Sequence, residues 1–214
     1  MNATIIACKT LENELQAAME TLSCTYPILW LESGLHNFPE KLHAVLQESL
    51  DQCHSDIVLM AMGFCGNSVV GLHTGNFQLV IPHVDDCISL LLGSMENRVE
   101  ASDQGSTYFL TEGWLKGERN IWTEYEYVME KYGTRRGERI FQTMFKHYRH
   151  IGLLDTRCYD LAPARAESQK IADQLRLDLR ILTADNHYLT ELLSGNWDTE
   201  KFTIIPANSS VSTF

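Results

Sequence analysis

The stretch that decides the fold is DIVLMAMGFCGNSVVGLHTGNFQLVIPHVDDCISLLLG, residues 56–93. Ile57 to Met62 is an unbroken apolar run closed by Gly63, and Phe77 to Ile81 is a second apolar run, interrupted only by Gln78 and closed by Pro82. A strand with one wet face alternates apolar and polar residues. A strand covered on both faces, as in a parallel sheet under helices, reads as a continuous apolar run. Asp86 to Leu92 follows the second run as a helix, with Asp85 or Asp86 as its N-cap.

The same pattern extends in both directions. Upstream, Met1 to Ala7 contains a short apolar run and leads into Lys9 to Met19, where Leu11, Leu15 and Ala18 have helical spacing. Pro27 to Leu31 is a strand ending in Gly34-Leu35-His36-Asn37. Pro39 to Gln52 then places Leu42, Val45, Leu46 and Leu50 on one helical face. With a short helix expected after Cys65, strands and helices alternate, and the helices supply the crossovers that parallel neighbours need. Downstream, Thr107 to Leu110 reads as a short strand, and Glu118 to Tyr132 and Arg136 to Tyr148 as two helices parted by Gly133. The alternation resumes with strand Ile151 to Leu154, helix Pro163 to Leu175, strand Leu179 to Leu182, helix Asn186 to Leu193 and strand Phe202 to Ile205. The expectation is one α/β domain over residues 1–214, built on a mostly parallel, doubly wound Rossmann-like sheet with a helical insertion over 112–149.

Hydrophobic residues make up 44% of the 214 residues, which excludes a disordered chain and allows one substantial core. The net charge of −11 disfavours a nucleic-acid partner, because phosphate binding needs a basic face. No run approaches the roughly 18 apolar residues of a membrane span. The opening MNATIIACKTLENEL has no basic leader before a long apolar stretch, so a cytoplasmic location is expected. In that reducing setting the six cysteines read as buried hydrophobes, metal ligands or catalysts rather than as a disulfide scaffold.

In open parallel sheets, ligands bind beyond the carboxyl ends of the strands. The residues that follow the first four strands are therefore the candidates: Cys8; His36 and Asn37; Cys65, Gly66 and Asn67; and His83, Asp85, Asp86 and Cys87. Gly63 and Gly66 let the backbone around Cys65 turn tightly. A helix starting near Asn67 would favour the thiolate there. Three thiolates from Cys8, Cys65 and Cys87 with the imidazole of His36 are a zinc donor set. The three cysteines alone also suit a 4Fe-4S cluster with one iron open to substrate. Buried structural cysteines and a metal-free reactive thiol are the alternatives. Cys24, Cys53 and Cys158 read as structural, and His43 and His54 as solvated. With a metal held by the thiols, His36 and Asp85 are the candidate catalytic groups, and Asn37, Gly66 and Asn67 the candidate cofactor-binding residues.

ACKTLENEL, GLHNFPEKLHAVLQ, GFCGNSVVGL, VIPHVDDCISLLLGS, GSTYFLTEGW, IGLLDTRCYDLA and GNWD together resemble domain of unknown function family 1638 over nearly the whole chain. The matching positions are Cys8, His36, Asn37, Cys65, Gly66, Asn67, Asp85, Asp86 and Cys87; His83 stands where arginine is common in the family. The resemblance implies a place beside corrinoid-dependent methyl transfer in anaerobes. The expected activity is thus that of a zinc-dependent transferase, a methyltransferase acting on a small molecule. An iron-sulfur protein, a corrinoid or metal carrier, or an accessory partner of a corrinoid protein or methyltransferase are the rivals.

Overall fold

The computed structural model describes residues 2–103, 105–117 and 120–212. Met1 and Glu118, the expected starts of the first strand and of a downstream helix, lie outside the described residues. The strands are β1 (Ala3–Cys8), β2 (Ile28–Leu31), β3 (Ile57–Ala61), β4 (Gln78–Pro82), β5 (Thr107–Leu110), β6 (His150–Asp155), β7 (Asp178–Thr183) and β8 (Phe202–Ile205). The helices are α1 (Glu12–Thr21), α2 (Pro39–Asp51), α3 (Cys87–Leu92), α4 (Met95–Ala101), α5 (Glu112–Leu115), α6 (Ile121–Tyr132), α7 (Thr134–Met144), α8 (Leu161–Leu175) and α9 (His187–Ser194). The class is α/β, Rossmann-like and mostly parallel, with the strands divided between two sheets.

The larger sheet has the order β2-β1-β3-β4-β8, parallel throughout except for β8, which runs antiparallel to β4. The smaller is parallel, in the order β5-β6-β7. Ile5, Ile6, Val58, Leu59, Leu79 and Val80 are completely buried although successive residues face opposite sides, so β1, β3 and β4 are covered on both faces. Each such aliphatic side chain contributes about 1.5–3 kcal/mol of burial. The helices α5, α6 and α7 join β5 to β6. Leu115, Ile121, Val128 and Phe141 from these helices pack with Ile151 and Leu153 of β6 in a second core. Polar contacts tie the two layers together: Thr156, just after β6, donates to Glu14 of α1 (2.8 Å), and Asn13 donates to Glu112 (2.7 Å).

The short helix expected after Cys65 is absent. Cys65, Gly66 and Asn67 all have positive φ (44°, 70° and 65°), which a right-handed helix cannot accommodate. The β3–β4 connection is instead an irregular loop strapped by the chain's C-terminal segment. Gly71 N donates to Val211 O (2.8 Å), Val211 N to Leu72 O (2.9 Å) and Thr74 N to Ser209 O (2.9 Å). Two helices went unforeseen: α4, capped by Ser94 on Asn97 N (3.1 Å), and the single-turn α5, capped by Thr111.

Candidate functional site

The cavity of interest, about 370 Å³, opens at the carboxyl ends of β1, β2, β3 and β4. Cys8 is the last residue of β1 and lies next to a 3-10 turn, Lys9–Leu11. His36 sits in a second 3-10 turn, Leu35–Asn37, entered through Gly34 at φ 86°. Cys65 follows β3, and Cys87 opens α3. Asp86 caps α3: its Oδ1 accepts from Ser89 N (2.7 Å) and from the Ser89 hydroxyl (2.9 Å), which fixes the direction of the Cys87 side chain.

What brings Cys65 against Cys87 is a glycine. A Cβ on Gly63 would lie 2.7–2.8 Å from the backbone of Asp86, so only a bare Cα lets the β3 and β4 exits approach this closely. Phe64 N and Cys65 N then donate to the carbonyls of Val84 (2.9 Å) and Asp85 (2.8 Å), continuing the β3–β4 pairing past the strand ends. Gly113 has the same role opposite Cys8. A Cβ there would stand 2.0 Å from Thr10 O, and this close contact seats α5 on the Lys9–Leu11 turn and turns Trp114 into the cavity wall.

Three thiols that are 57 and 22 residues apart along the chain therefore line one cavity. They form a row with Cys87 in the middle. The Cys87 thiol lies close enough to Cys8 and to Cys65 for the thiols to shift one another's titration, and the Gly63 N–H acts on Cys87 as well. Cys8 also lies 3.0 Å from the Thr10 hydroxyl. The Cys8 thiol is pushed well above its usual range, first by the hydrogen bond to Cys87 and then by burial. Cys87 is raised for the same reasons, its bond to Cys65 leading. Both are thus held as neutral thiols, because a thiolate here would lose a donated hydrogen bond and sit out of water. Burial lowers the pKa of His36 despite the opposing charge of Asp86, so its imidazole is neutral at pH 7.

Not every candidate enters this cavity. Gly66 and Asp85 line it, with Asp85 exposed toward its mouth. Asn37 and Asn67 are exposed on the neighbouring loops and do not line it. His83 packs against Phe64 with ring centroids 5.7 Å apart. His43 is not simply solvated, since its Nδ1 lies 2.9 Å from Ser68 O and steadies the loop after Cys65. No helix begins at Asn67, so the dipole expected to act on Cys65 has no source. Cys53 and Cys158 are engaged with backbone carbonyls of Ser49 and Thr156, both at 3.3 Å. Leu31, Leu35, Met62 and Ile88 add an apolar wall that sequence reading did not assign, and Glu32 adds a carboxylate. The position of Glu32, one residue past β2, was the available signal.

Among the described residues, no three histidine, cysteine, aspartate or glutamate side chains stand as a ready metal cage. The donor set nevertheless suits zinc, being three soft sulfurs on one wall with a neutral imidazole nearby.

Fold and site define a Rossmann-like α/β protein with a thiol-lined cavity at its strand ends. The profile of a family described as "Protein of unknown function (DUF1638)" matches residues 30–193, and the chain belongs to that family. No curated protein and no solved structure matches it. No described helix is long and apolar enough to cross a membrane.

Proposed function

We propose that the cavity is a metal site, zinc for preference, at which Cys8, Cys65 and Cys87 are the ligands and a small molecule is the substrate. The observation that carries this reading is that Cys8, Cys65 and Cys87 line one cavity, with the Cys87 thiol influencing and influenced by both others. Buried neutral thiols side by side are poor nucleophiles. A dication reverses that preference by replacing their protons. Bound zinc would supply Lewis acidity and hold a thiolate or water as a nucleophile near neutral pH. His36, neutral and at the edge of the cavity, is the fourth ligand or takes up the displaced proton. Asp85, exposed at the mouth, positions the substrate or a proton. The reaction class we propose is transfer of a small group, and the family resemblance favours a methyl group and a corrinoid protein or methyltransferase as partner.

Elemental analysis of the anaerobically purified chain tests this. About one zinc per chain, lost in Cys65→Ala and Cys87→Ala but kept in Cys158→Ala, supports the reading. Protein that takes up no metal, with Cys65→Ala indistinguishable from the parent, ends it. Iron with sulfide and a brown colour would move the site to a 4Fe-4S cluster on the same three cysteines.

A further inference from the structure

The thiols occupy one wall of the cavity; the rest has its own electrostatic character. Three carboxylates line it, Glu32, Asp85 and Asp86, and among the described lining residues there is no lysine or arginine. Asp86 is committed elsewhere, one oxygen capping α3 and the other 3.5 Å from Arg98 Nε. Arg98 is itself held over the Phe109 ring at 4.3 Å. Lys9, beside Cys8, is held by Glu12 at 2.6 Å and lies over Trp30. Glu32 and Asp85 are exposed at the cavity, and neither side chain has a hydrogen bond or ion pair with any described residue. Two uncompensated carboxylates thus share a concave space with the Trp114 side chain and several aliphatic ones.

Among the side chains here an anionic substrate would meet only like charge, and a zinc ion held by three thiolates would leave their wall with a net charge of −1. A hydrated inorganic cation would satisfy the carboxylates but waste the apolar wall. An organic cation with alkyl substituents matches both. Its charge would sit against Glu32 and Asp85, its methyl groups against Leu31, Leu35 and Met62, with Trp114, which also lines the cavity, as the aromatic partner for a cation–π contact. We infer that the cavity binds a small alkylated ammonium-type cation, selected by charge through Glu32 and Asp85 and by shape through Trp114. This deepens the reading above by naming the substrate class, and rests on it only in taking the cavity as the substrate site. The cation's determinants are separate from the proposed metal ligands.

The test uses three probes of one shape: choline, its neutral isostere with carbon in place of nitrogen, and the corresponding carboxylate. Each is titrated calorimetrically into the full chain, with zinc content measured on the same samples. Choline is expected to bind at least about tenfold more tightly than the neutral isostere, and the carboxylate more weakly than either. Glu32→Gln and Asp85→Asn should each weaken choline by roughly threefold to tenfold and leave the isostere unchanged. Trp114→Leu should lower choline affinity more than isostere affinity, which a merely structural wall would not do. Equal binding of choline and isostere, tighter binding of the carboxylate, or no binding of any probe to folded protein overturns the inference. Zinc loading without cation preference sinks this inference alone. Cation preference in protein that takes up no metal sinks only the metal reading.

Discussion

Replacing Gly63 by alanine probes the step that assembles the site. Gly63 does not have a positive φ, so its backbone accepts an L side chain, and the whole effect comes from contact. The added Cβ would stand 2.7 Å from Asp86 N and 2.8 Å from its Cα and carbonyl carbon, against 3.4 Å or more for ordinary contact. The β4 exit must therefore retreat by about 0.6–0.7 Å, and the neighbour in the way is backbone that cannot rotate aside. Overpacking of this kind costs about 1–3 kcal/mol. The hydrogen bonds from Phe64 N and Cys65 N to the Val84 and Asp85 carbonyls stretch with the retreat, and Cys87 moves off Cys65. Urea unfolding of the metal-free protein should show the stability loss with an unchanged slope. Zinc affinity should fall roughly 10–100-fold, as for other changes that misplace a ligand without removing it. Wild-type stability together with wild-type zinc affinity in Gly63→Ala would refute the claim that close backbone approach sets the thiol row.

Other consequences can be checked with similar means. Folded Cys8 and Cys87 keep protons that the unfolded chain releases above the usual thiol value of 9.0, so metal-free protein should lose stability as pH rises through that value. Cys8→Ala/Cys87→Ala should remove that slope in a pH series of urea midpoints. Burial raises the pKa of Glu14, whose Oε2 is buried with no hydrogen-bond partner. Its contribution to stability is present below the usual 4.5 and is lost as pH rises through the higher folded value, so the wild type minus Glu14→Gln difference should decline over that window. A difference that stays flat would show Glu14 ionised normally. Thr74→Val removes a hydroxyl that donates to Pro206 O (2.8 Å), with Ser209 O at 3.1 Å as the alternative acceptor, and accepts from Ser209 N. It should cost about 1–3 kcal/mol and speed proteolysis after residue 205, an effect absent if the C-terminal strap is incidental. Gly113→Ala, with its Cβ 2.0 Å from Thr10 O, should shift Trp114 fluorescence, and an unchanged spectrum would contradict the packing of α5 on the Lys9–Leu11 turn.

The sequence by itself determined the class of fold and the side of the sheet where chemistry gathers. Ile57 to Met62 and, apart from Gln78, Phe77 to Ile81 read as strands buried on both faces, because a strand with one wet face would alternate apolar and polar residues. Cys8, His36, Cys65 and Cys87 then fell after strand ends by simple chain order. What the sequence left open was every relation that depends on which strands are neighbours. Local spacing contains no information about pairing between distant segments, so neither the division into two sheets nor the reversal of β8 against β4 was legible. A short helix was expected after Cys65 because parallel neighbours are usually joined through one, whereas three consecutive left-handed residues rule a helix out there. Only the tertiary structure made Cys87 the middle of the row and set Glu32 and Trp114 in the same cavity. That choice was made by two glycines, Gly63 and Gly113, whose missing side chains let separate backbones touch.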